Sequence, residues 1–183
     1  MTTTGAERLH ELQRGVDLAD ALALFDDSAP VLVEEMRGAW KGHEVPTGHP
    51  MDGLLERFGW HGKRFGGPDE AHPLVFRGPH GLYSANPALV PMALPVRYPG
   101  LVRTPFMGPV GRRIMRLTRT SAPKARLRMV TYRGVPTATM TYDALAINDH
   151  FRRLDADTLL GVMDFRSADR PFVFALQRES SPA

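Results

Sequence analysis

Apolar residues recur with a helical period in the first part of the chain. They stand three and four residues apart at Leu9, Leu12, Leu18, Leu22 and Phe25. This spacing gives a helix one apolar face, so it predicts helices over residues 6–13 and 18–25. Pro30 lacks the backbone N–H that a continuing helix needs, and the second helix must therefore end before it.

The rest of the chain consists mainly of short extended patterns separated by glycine and proline. The predicted strands are residues 32–45, 60–65, 72–77, 81–84, 125–133, 137–143, 159–165 and 172–178. Along residues 137–143, threonines alternate with apolar residues, and this hydroxyl face lies either inside a barrel or in solvent. Many short strands with few long helices predict a mainly β fold, an antiparallel sheet closed into a barrel that holds one ligand.

Two helical segments interrupt these strands. Pro50 and Asp52 fit the first turn of a helix over residues 51–58. Residues 86–123 are rich in proline and contain one predicted helix, residues 109–118; because irregular connections of this length are rare without a role, we interpret them as a lid or a hinge. The predicted organisation is one domain, 1–183, made of N-terminal helices (1–30), a first barrel half (31–85), the connection (86–123) and a second barrel half (124–180).

Composition narrows the classes of function. The chain has 183 residues, of which 43% are hydrophobic, and this is enough to bury a core. The absence of cysteine excludes disulfides, thiolate metal sites and cysteine nucleophiles. No apolar run approaches the roughly 20 residues of a membrane span, and the first residues lack the apolar core of a secretion signal. We therefore expect a cytoplasmic location.

Charge is distributed unevenly along the chain. The net charge is only +3, but no acidic residue occurs between Glu70 and Asp143, and the interval 97–133 is rich in arginine. Such an interval is either a set of solvated faces or a surface that attracts anionic lipid, nucleic acid or an acidic ligand. Because it contains no recognisable set of base-stacking aromatics, we expect no nucleic-acid partner.

One short motif points to a known family. Gly38-Ala39-Trp40-Lys41-Gly42 resembles the Gly-x-Trp-x-Gly signature on the first strand of fatty-acid-binding-like and nitrobindin-like barrels, the calycin group. The longer stretches WKGHEVPTGHPMDGLLERFGWHGKRF and ARLRMVTYRGVPTATMTYDALAINDHFRRLDADTLLGVMDF resemble the two halves of the bacterial GXWXG family, whose C-terminal half is a domain of unknown function. The resemblance covers about residues 17–178. It implies a calycin-like (lipocalin-like) barrel with an apolar cavity, the tryptophan packed at the closed end, and no single settled activity.

His49 and Asp52 are the first candidate catalytic pair. They lie three residues apart at a predicted helix start, where both side chains approach one face, and an imidazole beside a carboxylate is a usable base. The alternative is structural, with His49 at the cap position and Asp52 accepting hydrogen bonds from free backbone N–H groups.

Lys63 and Arg64 are adjacent on a predicted strand, so one points into the barrel and the other points out. An inward cation would bind a carboxylate or phosphate or stabilise an enolate; the alternative places it at the barrel rim with its stem along apolar surface. The other candidate ligand contacts are Trp40, Trp60, Tyr142 and Asp143.

Asp149 and His150 fall in a predicted connection. If strand ends surround an open mouth, they and Asp143 could meet His49 as a proton-transfer group. Turn aspartates and a solvent-facing histidine explain the same residues.

Cofactor and metal chemistry find weaker support in the sequence. His43, His49 and His61 are close enough along the chain to share a metal, but no dense ligand spacing occurs, and we predict no metal site. The haem of nitrobindin-like barrels is bound by a histidine on a late strand. Here the late strands contain none, so a haem would need His150 or an early histidine. No Gly-x-Ser-x-Gly elbow of a serine hydrolase is present.

The sequence therefore predicts a barrel that binds a small hydrophobic or amphiphilic molecule bearing a carbonyl or acid group. As an enzyme it would perform cofactor-independent isomerisation, dehydration or cyclisation, as an isomerase or lyase with His49 as base. The alternatives are a non-catalytic carrier and a haem protein. Whether the chain forms a homodimer is left open.

Overall fold

A closed barrel of eight antiparallel strands forms the centre of the fold. The computed structural model describes residues 5–98, 100, 104 and 107–180. The strands within these residues are β1 (Ala29–Pro30), β2 (Gly38–Glu44), β3 (Trp60–Gly67), β4 (Glu70–Gly78), β5 (Gly81–Ala85), β6 (Arg119–Thr120), β7 (Ala125–Tyr132), β8 (Val135–Tyr142), β9 (Ile147–Arg153), β10 (Thr158–Phe165) and β11 (Phe172–Arg178). Around the barrel the order is β3, β2, β11, β10, β9, β8, β7 and β4, and β4 pairs again with β3. The predicted mainly β, calycin-like barrel is confirmed.

Helices lie outside the barrel wall and across one end. They are α1 (Gly5–Gln13), α2 (Leu18–Asp27), α3 (Leu54–Arg57), α4 (Ala93–Arg97) and α5 (Met107–Leu117), with 3-10 turns at Val33–Met36 and Pro87–Leu89. The apolar faces of α1 and α2 pack on the outer face of β10 and β11, where Phe25, Leu160 and Val173 belong to one buried cluster. The helical period of the N-terminal residues is thus explained by burial against the sheet.

Closure depends on strand β4, which has two partners along one edge. Ala71, near its start, pairs with Ala125 of β7, and the Lys124 backbone N–H donates to the Ala71 carbonyl over 3.0 Å. The second half of β4 pairs with β5 instead. The barrel is therefore closed by a short pairing between β4 and β7, and β5 and β6 extend the sheet beyond this pairing.

The two ends of the barrel are closed by different means. At the end where β2 begins, the turn Val33–Met36 places Met36 beside Trp40, and both side chains are fully buried. At the opposite end, which we call the mouth, α3, α4 and α5 lie over the opening, with Leu54, Leu94 and Met115 packed against the barrel core. Helices α4 and α5 belong to the connection 86–123, and its interpretation as a lid or a hinge stays a prediction.

Four sequence predictions of local structure need correction. The predicted strand 32–45 is only Gly38–Glu44, because Val33–Met36 form a 3-10 turn. Residues 147–153 form barrel strand β9, so Asp149 and His150 do not lie in a connection. The predicted strand 81–84 is β5, outside the closed ring. The helix predicted over residues 51–58 is only Leu54–Arg57, because Gly53 adopts a left-handed conformation (φ +79°) that interrupts helical dihedrals. The threonines of β8 point outward, where Thr137 and Thr139 are buried by the chain around Val31 and by His150.

Candidate functional site

Strand β2 shows why the motif has a glycine on each side of Trp40. Gly38 has φ +126°, a conformation that L side chains rarely adopt. Trp40 is sealed at the closed end, its indole N–H donating to the Met36 carbonyl (2.7 Å), with the Arg178 guanidinium 4.1 Å from its ring centre. A Cβ on Gly42 would lie 2.2 Å from the Trp60 ring, so the second glycine lets that indole lie against the strand. Trp40 therefore closes the barrel at the end where β2 begins, and the Trp60 side chain lies in the barrel interior.

A buried ion pair lies in the barrel interior, below the mouth. Lys63 Nζ is 2.8 Å from Asp149 Oδ2 and donates to the Pro73 carbonyl over 3.1 Å. The two charged side chains are 3% and 1% exposed. The Tyr142 hydroxyl donates to the same Asp149 oxygen over 3.4 Å. Strand alternation explains the meeting, since Lys63, Asp149 and Tyr142 each occupy the inward position of their own strand.

Aromatic rings surround this pair and keep it in an apolar environment. Lys63 Nζ lies 4.9 Å from the centre of the Phe174 ring and 5.8 Å from that of Trp60. Burial raises the pKa of Asp149, opposed by the Lys63 ammonium beside it. Burial likewise raises the pKa of Tyr142 well above its usual value, so its hydroxyl stays a donor.

An apolar cavity of about 130 Å³ lies between the barrel mouth and the lid. Its walls come from α3, β4, α4 and α5 and include Phe58, Phe76, Leu94 and Ile114. A second cavity of about 10 Å³ lies deeper and is lined by Trp60, Lys63, Tyr142, Asp149 and Phe174, among others. The two cavities share the side chains of Met51, Leu55, Leu74 and Met92 as their common wall. We call the two cavities together the chamber. Its walls are largely apolar, and a single polar cluster, Lys63, Tyr142 and Asp149, lies at its inner end.

His49 and Asp52 are close together, but their hydrogen bonds are those of a local turn. One Asp52 carboxylate oxygen accepts from the backbone N–H groups of Thr47 (3.0 Å) and His49 (2.8 Å). The imidazole Nδ1 accepts from the Met51 N–H (3.1 Å), and the ring edge packs against Phe172. Burial lowers the pKa of His49, which keeps the ring neutral. Neither residue lines the two cavities of the mouth.

Glu44, at the end of β2, is a buried carboxyl that the sequence did not single out. It accepts hydrogen bonds from the backbone N–H groups of Gly53 and Glu56 at the start of α3. Burial raises the pKa of Glu44 to about 7 despite these bonds. Folding therefore favours its protonated form.

This raised pKa predicts a pH-dependent stability. A carboxyl whose folded pKa exceeds its unfolded pKa stabilises the fold at low pH and loses that contribution as pH rises. For Glu44 the loss runs from its ordinary pKa of 4.5 up to about 7. Glu44→Gln removes this titration, so the wild-type protein should lose at least about 1 kcal/mol more than the variant between pH 5 and pH 8. Urea unfolding at the two pH values measures it; equal losses in both proteins would contradict the assignment.

The other candidate residues point away from the barrel interior. His150 lies on the outer face, its Nδ1 2.9 Å from the Thr139 hydroxyl and its ring stacked on Tyr132 at 3.8 Å. Burial lowers the pKa of His150 to about 4. Arg64 is exposed and lies 3.2 Å from His72 Nε2, and Asp143 forms a surface ion pair with Arg126. The structure thus brings Lys63, Trp60, Tyr142 and Asp149 together, and the remaining candidates lie outside this cluster.

Part of the basic interval is neutralised by acids from elsewhere in the chain. Arg126, Arg128 and Arg133 form ion pairs with Asp143, Asp69 and Asp26, respectively. On α5, Arg112 donates to the Arg57 carbonyl. Arg103 lies outside the described residues. None of the helices that the structure describes is both long and apolar enough to cross a membrane.

Histidines and acids do not converge as a metal site would require. Within the described ranges, no group of three such side chains could hold an ion. His43 contacts Gln13 beneath α1, and His61 pairs with Glu179 on the outer surface. Haem does not fit the mouth either, because no histidine lines its two cavities and the larger, about 130 Å³, is much smaller than the macrocycle.

Comparison with known proteins agrees with the fold described above. Residues 23–81 match the family described as GXWXG protein, and residues 123–178 match the Domain of unknown function (DUF4334). A solved structure, "Crystal structure of protein from Thermomonospora curvata", is 31% identical, with a TM-score of 0.69 over 95% of this chain and 97% of that one. The chain belongs to the GXWXG family. A comparison of the chain with curated proteins found no match.

The motif that names the family has a structural role in this chain. In this chain, the two glycines and Trp40 shape and plug the barrel, while the polar cluster is contributed by β3, β8 and β9. Two of these strands belong to the DUF4334 match and β3 belongs to the GXWXG match, so both matched segments of the chain are needed to form the cluster.

Proposed function

We propose that this protein binds a small, largely apolar molecule in the chamber beneath the α4–α5 lid. The observation that carries the proposal is an apolar cavity that shares a wall of four side chains with a deeper cavity, where Lys63, Tyr142 and Asp149 form a buried polar cluster. Ligand sites commonly combine apolar walls with a few fixed polar groups. A barrel closed at the other end by Trp40 leaves the mouth as the route to this chamber.

Size restricts the ligand. A cavity of about 130 Å³ is close to the roughly 150 Å³ that admits one benzene molecule in an engineered protein core. The chamber therefore suits a single ring or a chain of about six carbons, while rotation of Met51 or Met92 would add room towards Lys63. Long-chain fatty acids would not fit without a larger opening of the lid.

A cavity-filling variant tests the chamber directly. Leu94→Trp, on α4, should fill the larger cavity and reduce benzene binding at least about tenfold. Leu89→Trp is the matched control, because Leu89 belongs to the same connection but is 60% exposed and lines neither cavity. Binding is measured by methyl chemical shifts of the methionines during benzene titration. Equal binding by both variants, or no binding by the wild type, would refute the proposed chamber.

Catalysis is a second candidate function, and the raised pKa of Asp149 at the cavity favours it. In that case Asp149 and Lys63, rather than His49, transfer the proton in an isomerisation, dehydration or cyclisation. A carrier would use the same pair only to orient its ligand.

Analysis of the small molecule retained by protein from its own host separates the two functions. Because isomerisation leaves the mass unchanged, the released molecule is compared by chromatography as well as by mass spectrometry. An enzyme with Asp149→Asn should retain unconverted substrate, which should differ from the wild-type ligand in mass or in retention time. A carrier should retain the same molecule in both proteins, in a smaller amount in the variant. The same molecule by both criteria would exclude the catalytic role of Asp149.

A further inference from the structure

The polar end of the chamber has one hydrogen-bond donor and one acceptor to spare. A lysine ammonium has three N–H groups, and Lys63 gives one to the Pro73 carbonyl and one to Asp149 Oδ2. The other Asp149 oxygen, Oδ1, is buried and has no hydrogen-bond partner among the described residues. Buried carboxylate oxygens normally have partners, so this one indicates a missing donor.

Charge decides what kind of group can supply that donor. Lys63 and Asp149 neutralise one another at 2.8 Å, so the site as a whole has no charge to offer an anion. A ligand carboxylate at this place would stand beside Asp149 in an apolar environment, where like charges strongly repel. A neutral hydroxyl can instead accept from Lys63 and donate to Asp149.

The volume of the deeper cavity also favours a hydroxyl over a carboxylate. The deeper cavity measures about 10 Å³, close to the space one water-sized group needs. A single hydroxyl oxygen matches that space. A carboxylate has two oxygens, which need more room, and its burial costs the free energy of its hydration. The larger apolar cavity next to it would take the carbon skeleton.

We infer that the ligand class is a neutral small alcohol or enol, whose hydroxyl donates to Asp149 Oδ1 and accepts from the remaining Lys63 N–H. This inference rests on the proposed function and narrows it, because the sequence alone also allowed acid-bearing ligands. Lys63 and Asp149 act here as the residues that determine specificity for the head group.

The test compares two six-carbon probes, 1-hexanol and hexanoate, with the wild-type protein at pH 8, where hexanoate is ionised. We expect 1-hexanol to bind at least about tenfold more tightly than hexanoate, as measured by methyl and indole chemical shifts. Hexanoate binding as tightly as 1-hexanol would overturn the inference. Benzene binding without 1-hexanol binding would overturn it as well but leave the chamber intact, whereas failure of all three probes would refute the proposed function itself.

Asp149→Asn should shift the preference from 1-hexanol towards hexanoate. With the carboxylate removed, Lys63 has an unbalanced charge, and hexanoate should bind at least about tenfold more tightly than it does to the wild type. Asp143→Asn is the matched control, because Asp143 is a surface residue that pairs with Arg126 and lines neither cavity, so both affinities should be unchanged. An Asp149→Asn protein that folds but still prefers 1-hexanol as strongly as the wild type would refute the role of Asp149.

Discussion

Lys63→Met is expected to lower the free energy of unfolding by about 3 to 5 kcal/mol at pH 8, the range found when one partner of a buried ion pair is removed. Methionine matches the lysine stem in size, so little packing is lost. The cost arises because Asp149, 1% exposed, would keep its charge without a cation. Urea unfolding of the wild type and the variant measures the difference.

The pH dependence of this loss identifies its cause. Burial already raises the pKa of Asp149, and loss of the Lys63 ammonium would raise it further. A raised folded pKa gives stability below the unfolded pKa, about 4 for an aspartate, that disappears as pH rises. The variant should therefore lose less stability at pH 5 than at pH 8. A loss independent of pH would indicate a packing defect instead.

Two controls separate the buried charge from ordinary ion pairing. Arg126→Met breaks the exposed pair with Asp143 and should cost no more than about 1 kcal/mol. The double variant Lys63→Met, Asp149→Leu replaces the buried pair by apolar side chains and should recover most of the lost stability. A double variant less stable than Lys63→Met alone would contradict this account.

The sequence predicts the barrel well because most of its strands alternate or are framed by glycine and proline. Strand β9 was not predicted because polar residues occur on both of its faces. Asp149 points inward to Lys63. His150 and Arg152 point outward but are buried, His150 against the Tyr132 ring and Arg152 against Phe25 of α2. Burial of these side chains depends on partners far away in the chain, which no local pattern displays.

The candidate site was predictable only in part, for the same reason. Alternation correctly requires that one of Lys63 and Arg64 point inward. It cannot reveal that the inward cation meets a carboxylate 86 residues later. The three-residue spacing of His49 and Asp52 suggests a catalytic pair, but a hydrogen-bonded turn explains the same spacing. Sequence proximity favours caps and turns, whereas the cluster at the mouth depends on the register of three strands.

Gly42→Ala is expected to destabilise the protein by about 1 to 3 kcal/mol, the usual cost of overpacking a core. Its Cβ would lie 2.2 Å from the Trp60 ring, so the indole would have to move away from β2. Trp60 lines the deeper cavity together with Lys63, and the same movement should narrow the space next to the ion pair. Benzene or 1-hexanol affinity should therefore fall together with stability.

Gly67→Ala provides the matched control for this effect. Gly67 lies at the end of β3, the strand that contains Trp60, and a Cβ there meets no atom within 4 Å. The control should change the free energy of unfolding by no more than about 0.5 kcal/mol and leave probe binding intact. Tryptophan fluorescence reports the indole position in both variants. If Gly42→Ala binds its probes with wild-type affinity, the second glycine of the motif serves the strand alone, and the proposed link between the motif and the ligand chamber is wrong.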